Sequence, residues 1–399
     1  MSSARSLTTT IIIASLVAIG PLSTDMYLPA FPALIEVFSS DIGQVQITLS
    51  VFMVGFAVAQ LISGPLSDRF GRKPVLMVAL VLFLLSSIAI AYSSSIEMLI
   101  ALRFTQAIGG SAGPVLGRAM VRDIYGPHES ARLLSYISTA MALAPAAAPI
   151  MGGYMLVWFG WESIFLFLAF YALVGLLLMA YQVPETAPPS SHGPMSSRRL
   201  LDNYLLLLRH PTWRWYSLSG GFVFAGLFAF LSGAPFVVID YFGFSEQQFG
   251  LFFTLVVIGF MVGTLIGGGM VRRVGINPLI GMGAFVALTG GSVMGILAFL
   301  QVDHISAVLV PHMLYMVGVG IVVPQSMAGA LAPFPKIAGT SSALLGFFQM
   351  TLAALVGVLV GQFHDGSPFY MALAIAMMGG LTVISYVMLR RAIQRQANI

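Results

Sequence analysis

The sequence predicts an all-α polytopic membrane protein of twelve spanning helices, arranged as two six-helix halves. Three observations predict it. First, 58% of the 399 residues are hydrophobic and only 8% are charged, with a mean hydropathy of +0.95. A soluble domain carries about 25% charged residues, and a water-soluble fold of this size could not cover its surface with so few. An ordinary soluble enzyme, a disordered chain and a soluble nucleic-acid binder are thereby excluded. Second, twelve apolar runs are each long enough to cross the ~30 Å hydrocarbon core of a bilayer. Third, the Lys and Arg residues gather on one side of those runs.

The runs lie at about 11–33, 43–64, 74–93, 97–121, 131–154, 162–183, 213–238, 247–271, 278–300, 305–332, 339–363 and 368–389. They do not alternate with period two, as the strands of a membrane barrel do. The first follows Arg5 and has an apolar core, like a secretory signal. It lacks a convincing cleavage site and continues through Asp25, Pro29 and Pro32, so it reads as an uncleaved first helix. With both termini in the cytoplasm, 17 of the 18 Lys and Arg residues fall in cytoplasmic segments, and Arg103 lies inside a span. The opposite loops hold no Lys or Arg; they carry Glu36, Asp41, Glu97, Glu162, Asp240, Glu246, Asp303 and Asp365. One missed span would scramble this asymmetry.

A single long polar connection, rich in Pro and Ser and then basic, divides the chain. The halves are 1–185 and 213–399, with a cytoplasmic linker at 186–212. They share a repeat. Gly64-Pro65-Leu66-Ser67-Asp68-Arg69-Phe70-Gly71-Arg72-Lys73-Pro74 follows span two, and Gly268-Gly269-Met270-Val271-Arg272-Arg273-Val274-Gly275-Ile276-Asn277-Pro278 follows span eight. Both fit G-x-x-x-x-R-x-G-x-x-P at an offset of 204 residues. A parallel repeat of two six-helix halves is a transporter architecture.

The first copy of this loop resembles the loop motif of the major facilitator superfamily. Leu102-Arg103-Phe104-Thr105-Gln106-Ala107-Ile108-Gly109-Gly110 resembles its fourth-helix arginine motif. Ala148-Pro149-Ile150-Met151-Gly152-Gly153 resembles the end of the fifth-helix motif of its antiporters, with Ala140, Ala144 and Ala148 where that motif usually has glycine. Ser23–Ala30, Val121-Arg122-Asp123-Ile124-Tyr125 and Ala148–Phe165 are similar to the Bcr/CflA group of drug:proton antiporters. The resemblance covers nearly the whole chain. It implies the major facilitator fold and proton-coupled efflux of small amphipathic compounds by alternating access. Bicyclomycin, phenicols and sulfonamides are the implied antibiotic classes, and the bacterial inner membrane the implied location.

Asp25 and Arg103 stand out chemically. A mid-membrane charge costs roughly 2.5–3.5 kcal/mol even on insertion scales, so such residues face cavities and find partners. Asp25 lies about 8 residues, or ~12 Å, from the outer end of its span, and Arg103 about 6 residues, or ~9 Å. The resemblance places both helices around a central cavity. Asp25 is expected to carry the proton. Arg103 is expected to tune it, interacting with Asp25 or with substrate. A permanent structural ion pair is the bland alternative. His312, within span ten, reads as a neutral, hydrogen-bonded packing residue.

In the loop after span two, Gly64 and Gly71 are expected to permit the turn. The resemblance implies that Asp68 pairs with Arg118 or Arg122, at the end of span four, as a latch closing the cytoplasmic side. Arg69, Arg72 and Lys73 also enforce topology. Span five holds Pro145, Pro149, Gly152 and Gly153, which favour bending and gating. Span eight carries Gly259, Gly263 and Gly267 at four-residue spacing. The resemblance brings helices five and eight together as a sliding seam. Tyr136, Phe224, Phe228 and Gln349 are candidate substrate-lining residues, apolar or aromatic with few polar anchors.

Cysteine is absent, and neither a phosphate-binding G-x-x-x-x-G-K-[ST] loop nor H-E-x-x-H occurs. The reading is therefore no enzyme, no cofactor and no metal, with protons as coupling ion. The expected partners are a small molecule and the lipid bilayer, with no nucleic acid, and the chain is expected to act as a monomer. A narrow-specificity exporter or importer of a metabolite, or a non-transporting receptor, are the alternatives.

Overall fold

The computed structural model describes the backbone of residues 3–186 and 197–397, and their side chains except at 3–8, 10, 122, 126–143, 197–199, 336 and 397. Ten helices among the described residues are long and apolar enough to cross a membrane. The two further passes, spans four and five, share one helical stretch.

Span one runs over Ile11–Phe38 and is not one helix. It comprises α1 (Ser3–Val17), α2 (Ile19–Asp25), a 3₁₀ turn (Leu28–Ala30) and α3 (Phe31–Phe38). Pro29 and Pro32 supply no N–H to the carbonyls of Asp25 and Leu28, which favours an interruption there. The expected run of 11–33 is therefore longer than read and interrupted directly after Asp25. Next come α4 (Ile42–Phe70), α5 (Arg72–Ala91), α6 (Ile96–Phe159) and α7 (Glu162–Gln182).

The 64 residues of α6 cannot run straight. Gly113 abuts the Leu16 carbonyl and Gly152 abuts the Met26 carbonyl, only ten residues further along span one. A straight helix would hold those glycines ~58 Å apart at 1.5 Å per residue. The path therefore reverses between them, which makes two passes.

One compact unit comprises Met1–Ser40, Val51–Met195 and Glu246–Gly250. In it α6 packs on α1, α2 and α5, and α7 packs on α5. Small residues let these backbones meet, because lipid supplies no hydrophobic drive between helices. A Cβ at Gly109 would lie 2.6 Å from the Ala79 carbonyl oxygen. The core includes Ile13, Val17, Phe31, Phe52, Phe83 and Phe165. Outward side chains are equally apolar, with Val78 71% exposed and Phe170 63% exposed. Such surface is stable against hydrocarbon and not against water.

The other unit comprises Asp41–Ser50, Ser196–Ser245 and Leu251–Ile399. It holds α8 (Ser197–Arg209), α9 (Pro211–Pro235) with a π-helical continuation (Phe236–Tyr241), and α10 (Glu246–Val274) beyond its first turn. It also holds α11 (Ile276–Phe299), α12 (Ser306–Leu331), α13 (Ala338–Gln362) and α14 (Phe369–Ala397). The segment read as a linker thus contains a helix, α8. In this unit α9 packs on α12, α13 and α14, while α11 packs on α12 and α14.

The repeated loop has one conformation in both copies. Gly71 at φ +96° precedes α5, and Gly275 at φ +87° precedes α11. Pro74 and Pro278 fall in the first turns, where a missing N–H costs nothing. Gly64 does not share this role. It lies inside α4, and a Cβ there would meet nothing within 4 Å. The turn rests on Gly71 alone, because α4 continues to Phe70 before the chain reverses. Gly71→Ala is expected to cost about 1–3 kcal/mol for a side chain at positive φ. Gly64→Ala should be neutral or stabilising by up to about 1 kcal/mol in a helix interior. Thermal unfolding of the two purified variants in one detergent checks the contrast.

Candidate functional site

Asp25 is the last residue of α2 and is 5% exposed. The Thr24 hydroxyl donates to its Oδ1 at 2.8 Å. It makes no ion pair among the described residues: both ion pairs found there belong to Arg72. Ending the helix at Asp25 leaves its last carbonyls without i+4 donors. One of these, Ser23 O, accepts from Arg103 Nη1 at 3.1 Å. A cation at a helix C-terminus also meets the favourable end of the macrodipole.

Arg103 is fully buried. Its Nη1 donates to Gln106 Oε1 at 2.7 Å, and Gln106 Nε2 donates to Ser87 Oγ at 2.8 Å. The guanidinium carbon stands 4.2 Å from the Phe52 ring centroid, 4.8 Å from Tyr27 and 5.8 Å from Phe165. Three aromatic faces take the place of water around the charge. Of the two expected partners of Arg103, Asp25 and substrate, Asp25 makes no ion pair or hydrogen bond with it among the described residues. The arginine caps the broken helix that ends in Asp25, and its Nε and Nη2 have no partner among the described residues. Nothing in the motif spacing distinguishes a cap from an ion pair. Gln106 lay within the quoted arginine motif without a role assigned.

At the loop after span two, Asp68 pairs with Arg72 at 2.6 Å, and Arg72 Nε reaches Asp123 at 3.3 Å. Arg72 Nη1 also donates to Ser67 Oγ at 2.6 Å. The expected partner of Asp68 was Arg118 or Arg122; Arg118 makes no ion pair among the described residues, and the side chain of Arg122 lies outside them. The reason is proximity: Arg72 follows Asp68 by four residues around the Gly71 turn, close enough for their side chains to meet. Arg69 is exposed and lies over the Phe70 ring at 5.1 Å.

Glu185, beyond the end of α7, was missed by sequence reasoning. Its carboxylate accepts from the Arg72 and Lys73 backbone N–H groups at 2.9 and 3.1 Å. It thereby caps the N-terminus of α5, where a negative charge is favoured. Lys73 Nζ donates to the Ala180 carbonyl near the C-terminus of α7 at 2.8 Å. The two helix ends hold each other by opposite charges. No local spacing signals a contact between residues 113 positions apart.

In span five, Gly152 meets the backbone of Met26 just after Asp25. A Cβ at Gly153 would lie 2.6 Å from the Glu246 carbonyl oxygen, and one at Gly250 would lie 2.7 Å from Ile150 Cα. The first turn of α10 therefore packs on span five through these two glycines. Gly259, Gly263 and Gly267 do not serve that seam. They face Met313, Val317 and Ile321 of α12, their neighbour within the other unit. Pro145 and Pro149 lie in the same helical stretch as Gly152.

His312 is fully buried, with the Phe230 ring stacked on it at 3.8 Å and Tyr315 at 5.7 Å. Neither ring nitrogen has a hydrogen-bond partner among the described residues, so the expected hydrogen bond is not found there. Phe224 and Phe228 form a pair at 5.0 Å on α9. Gln349 is 9% exposed on α13. The side chain of Tyr136 lies outside the described residues.

Residues 13–358 match the family model of the Major Facilitator Superfamily. The chain belongs to that superfamily and is a membrane transporter by family. The uncharacterised MFS-type transporter YdgK of Bacillus subtilis strain 168 is 33% identical over 87% of this chain and 86% of its own. A bicyclomycin resistance protein homologue of Haemophilus influenzae is 29% identical, covering 92% of each chain. A chloramphenicol resistance protein of Pseudomonas aeruginosa is 31% identical over 86% of this chain and 81% of its own. These relatives agree with the Bcr/CflA resemblance carried by residues 23–30 and 121–125. The fold matches a solved D-xylose-proton symporter at a TM-score of 0.79, with 17% identity over 96% of this chain and 97% of that one.

Proposed function

We propose that this chain exports small amphipathic compounds, antibiotics among them, in exchange for protons by alternating access. The observation that carries the proposal is Asp25, a buried carboxyl at a helix break with no ion pair among the described residues. Such a group can take and release a proton without breaking a salt bridge, as a coupling site requires. The relatives named for bicyclomycin and chloramphenicol resistance support the class of cargo. A proton crossing a membrane potential gains roughly 2.3 kcal/mol per 100 mV, which supplies the drive without ATP. Arg103 holds the Asp25 segment in place through Ser23, and span five crosses directly behind it at Gly152.

In this reading the chain acts as a monomer in the bacterial inner membrane, with both termini cytoplasmic and no nucleic-acid partner. Residues 1–185 and 213–399 are the moving halves, 186–212 is their connection, and Phe224, Phe228 and Gln349 line the cargo path. Pro145, Pro149, Gly152 and Gly153 shape the gating helix. Asp68, Arg72 and Asp123 form a latch favouring one of two alternating states. Asp68→Asn is expected to lower transport about tenfold or more. It should barely move the melting temperature, because an exposed ion pair contributes about 0–1 kcal/mol. Unchanged transport would remove the latch.

Export itself is tested by accumulation of radiolabelled chloramphenicol in cells making the protein. Accumulation should fall against a control strain and recover when a protonophore collapses the gradient. Accumulation equal to the control over a panel of unrelated antibiotics would point to a narrow metabolite carrier or a receptor instead.

A further inference from the structure

The unit that contains α9 to α14 has a charge-free interior. Among the described residues its Arg, Lys, Asp and Glu lie at the ends of the spanning helices, in loops or, as Asp202 does, exposed on α8, and His312 is the one titratable group, other than tyrosine, buried within a span. Polar atoms without partners nevertheless collect around Gly220: Ser326 Oγ on α12 and Gln349 Nε2 on α13, with Ser217 Oγ about one turn earlier on α9, and the three residues are at least nine-tenths buried. Other partnerless atoms of this unit include Ser219 Oγ, Ser232 Oγ and both His312 ring nitrogens. Buried polar groups are ordinarily hydrogen-bonded, so several unpaired ones around one glycine call for a partner.

The three helices converge at Gly220. A Cβ there would lie 3.1 Å from Ser326 Cβ, 3.2 Å from Gln349 Nε2 and 3.7 Å from Ser326 Oγ. Glycine leaves room for the amide and the hydroxyl to approach one spot. Along α9, residues 217, 220, 224 and 228 recur at helical spacing on one face. That face therefore carries a hydroxyl, a gap and then the Phe224–Phe228 pair at 5.0 Å. Gly220 is nine residues into α9, or ~14 Å from its start, and Gln349 is eleven into α13, or ~16 Å. Both sit near the middle of their spans, and the helices run parallel, since Trp213 Nε1 donates to Ser341 Oγ one level nearer their starts.

We propose that Ser217, Ser326 and Gln349 form an uncharged hydrogen-bonding subsite around Gly220. It takes a hydroxyl or amide of a neutral amphipathic molecule whose apolar body lies against Phe224 and Phe228. The inference rests on the transport reading and narrows its cargo: the subsite offers no countercharge, so it favours neutral compounds over cations.

Isothermal titration of the purified, detergent-solubilised protein with chloramphenicol and with tetraphenylphosphonium tests this. The wild type should bind chloramphenicol more tightly than the cation. Gln349→Leu should weaken chloramphenicol about tenfold, and Ser326→Ala by about threefold to tenfold, as the loss of one hydrogen bond requires. Gln349→Glu keeps the shape and adds a carboxylate, so it should strengthen tetraphenylphosphonium about tenfold, which a purely structural glutamine would not do. Ser326→Ala removes a single oxygen and serves if Gln349→Leu does not fold. Chloramphenicol affinity unchanged in the folded variants, or a wild type binding chloramphenicol no better than the cation, would overturn the subsite. Intact binding without proton release or flux would instead overturn antiport and leave the subsite standing.

Discussion

Arg103→Ala protein is expected to lose about 3–5 kcal/mol of stability and to be recovered poorly. The fully buried guanidinium donates to Ser23 O and Gln106 Oε1 and stands against three aromatic rings. A charged hydrogen bond contributes about 1.5–3 kcal/mol, and each cation–π contact about 0.5–2 kcal/mol. Alanine removes them together. It also leaves the Ser23 carbonyl and the Gln106 amide without that donor, and opens a cavity between Tyr27, Phe52 and Phe165. Arg103→Lys keeps the charge and loses the fork, so it should fall between wild type and alanine. Melting of the detergent-solubilised proteins measures this. A melting temperature for Arg103→Ala equal to wild type would show that the broken first span needs no cap.

Asp25→Asn is expected to fold and to lose uphill transport. The amide is nearly isosteric, and its oxygen can still accept from Thr24. It cannot carry a proton. One proton moving through a total gradient of ~150 mV delivers about 3.5 kcal/mol, enough to hold a cargo ratio of up to ~300-fold. The variant should hold none, yet should still exchange labelled for unlabelled cargo with no gradient applied. Counterflow in proteoliposomes reads the exchange, and accumulation under an imposed gradient reads the coupling. Loss of both would place Asp25 in cargo binding.

The amino-acid sequence made the architecture legible because the bilayer imposes it. Length, apolarity and the one-sided Lys and Arg residues follow from hydrocarbon thickness and charge, and neither depends on tertiary detail. The Gly71 turn was readable locally, since a positive φ selects glycine, whereas Gly64, read as its companion, lies inside α4. What was not legible depended on which helix faces which. Gly259, Gly263 and Gly267 announced close packing without naming α12 as the neighbour. Asp68 could have met any of several arginines, and the chain's return through Gly71 decided for Arg72. Glu185, the last residue of the first half, drew no role from the sequence, because the helix end it caps lies 113 residues away. The first span reads in sequence as one helix through Pro29 and Pro32, and both its break after Asp25 and the cap that Arg103 supplies required the fold.

The most direct test of the account uses inside-out vesicles carrying a respiration-driven, acid-interior pH gradient, with chloramphenicol added. Wild-type protein should release protons on addition, and Asp25→Asn vesicles with equal amounts of folded protein should release none. Proton release from the Asp25→Asn vesicles equal to wild type would contradict Asp25 as the coupling group.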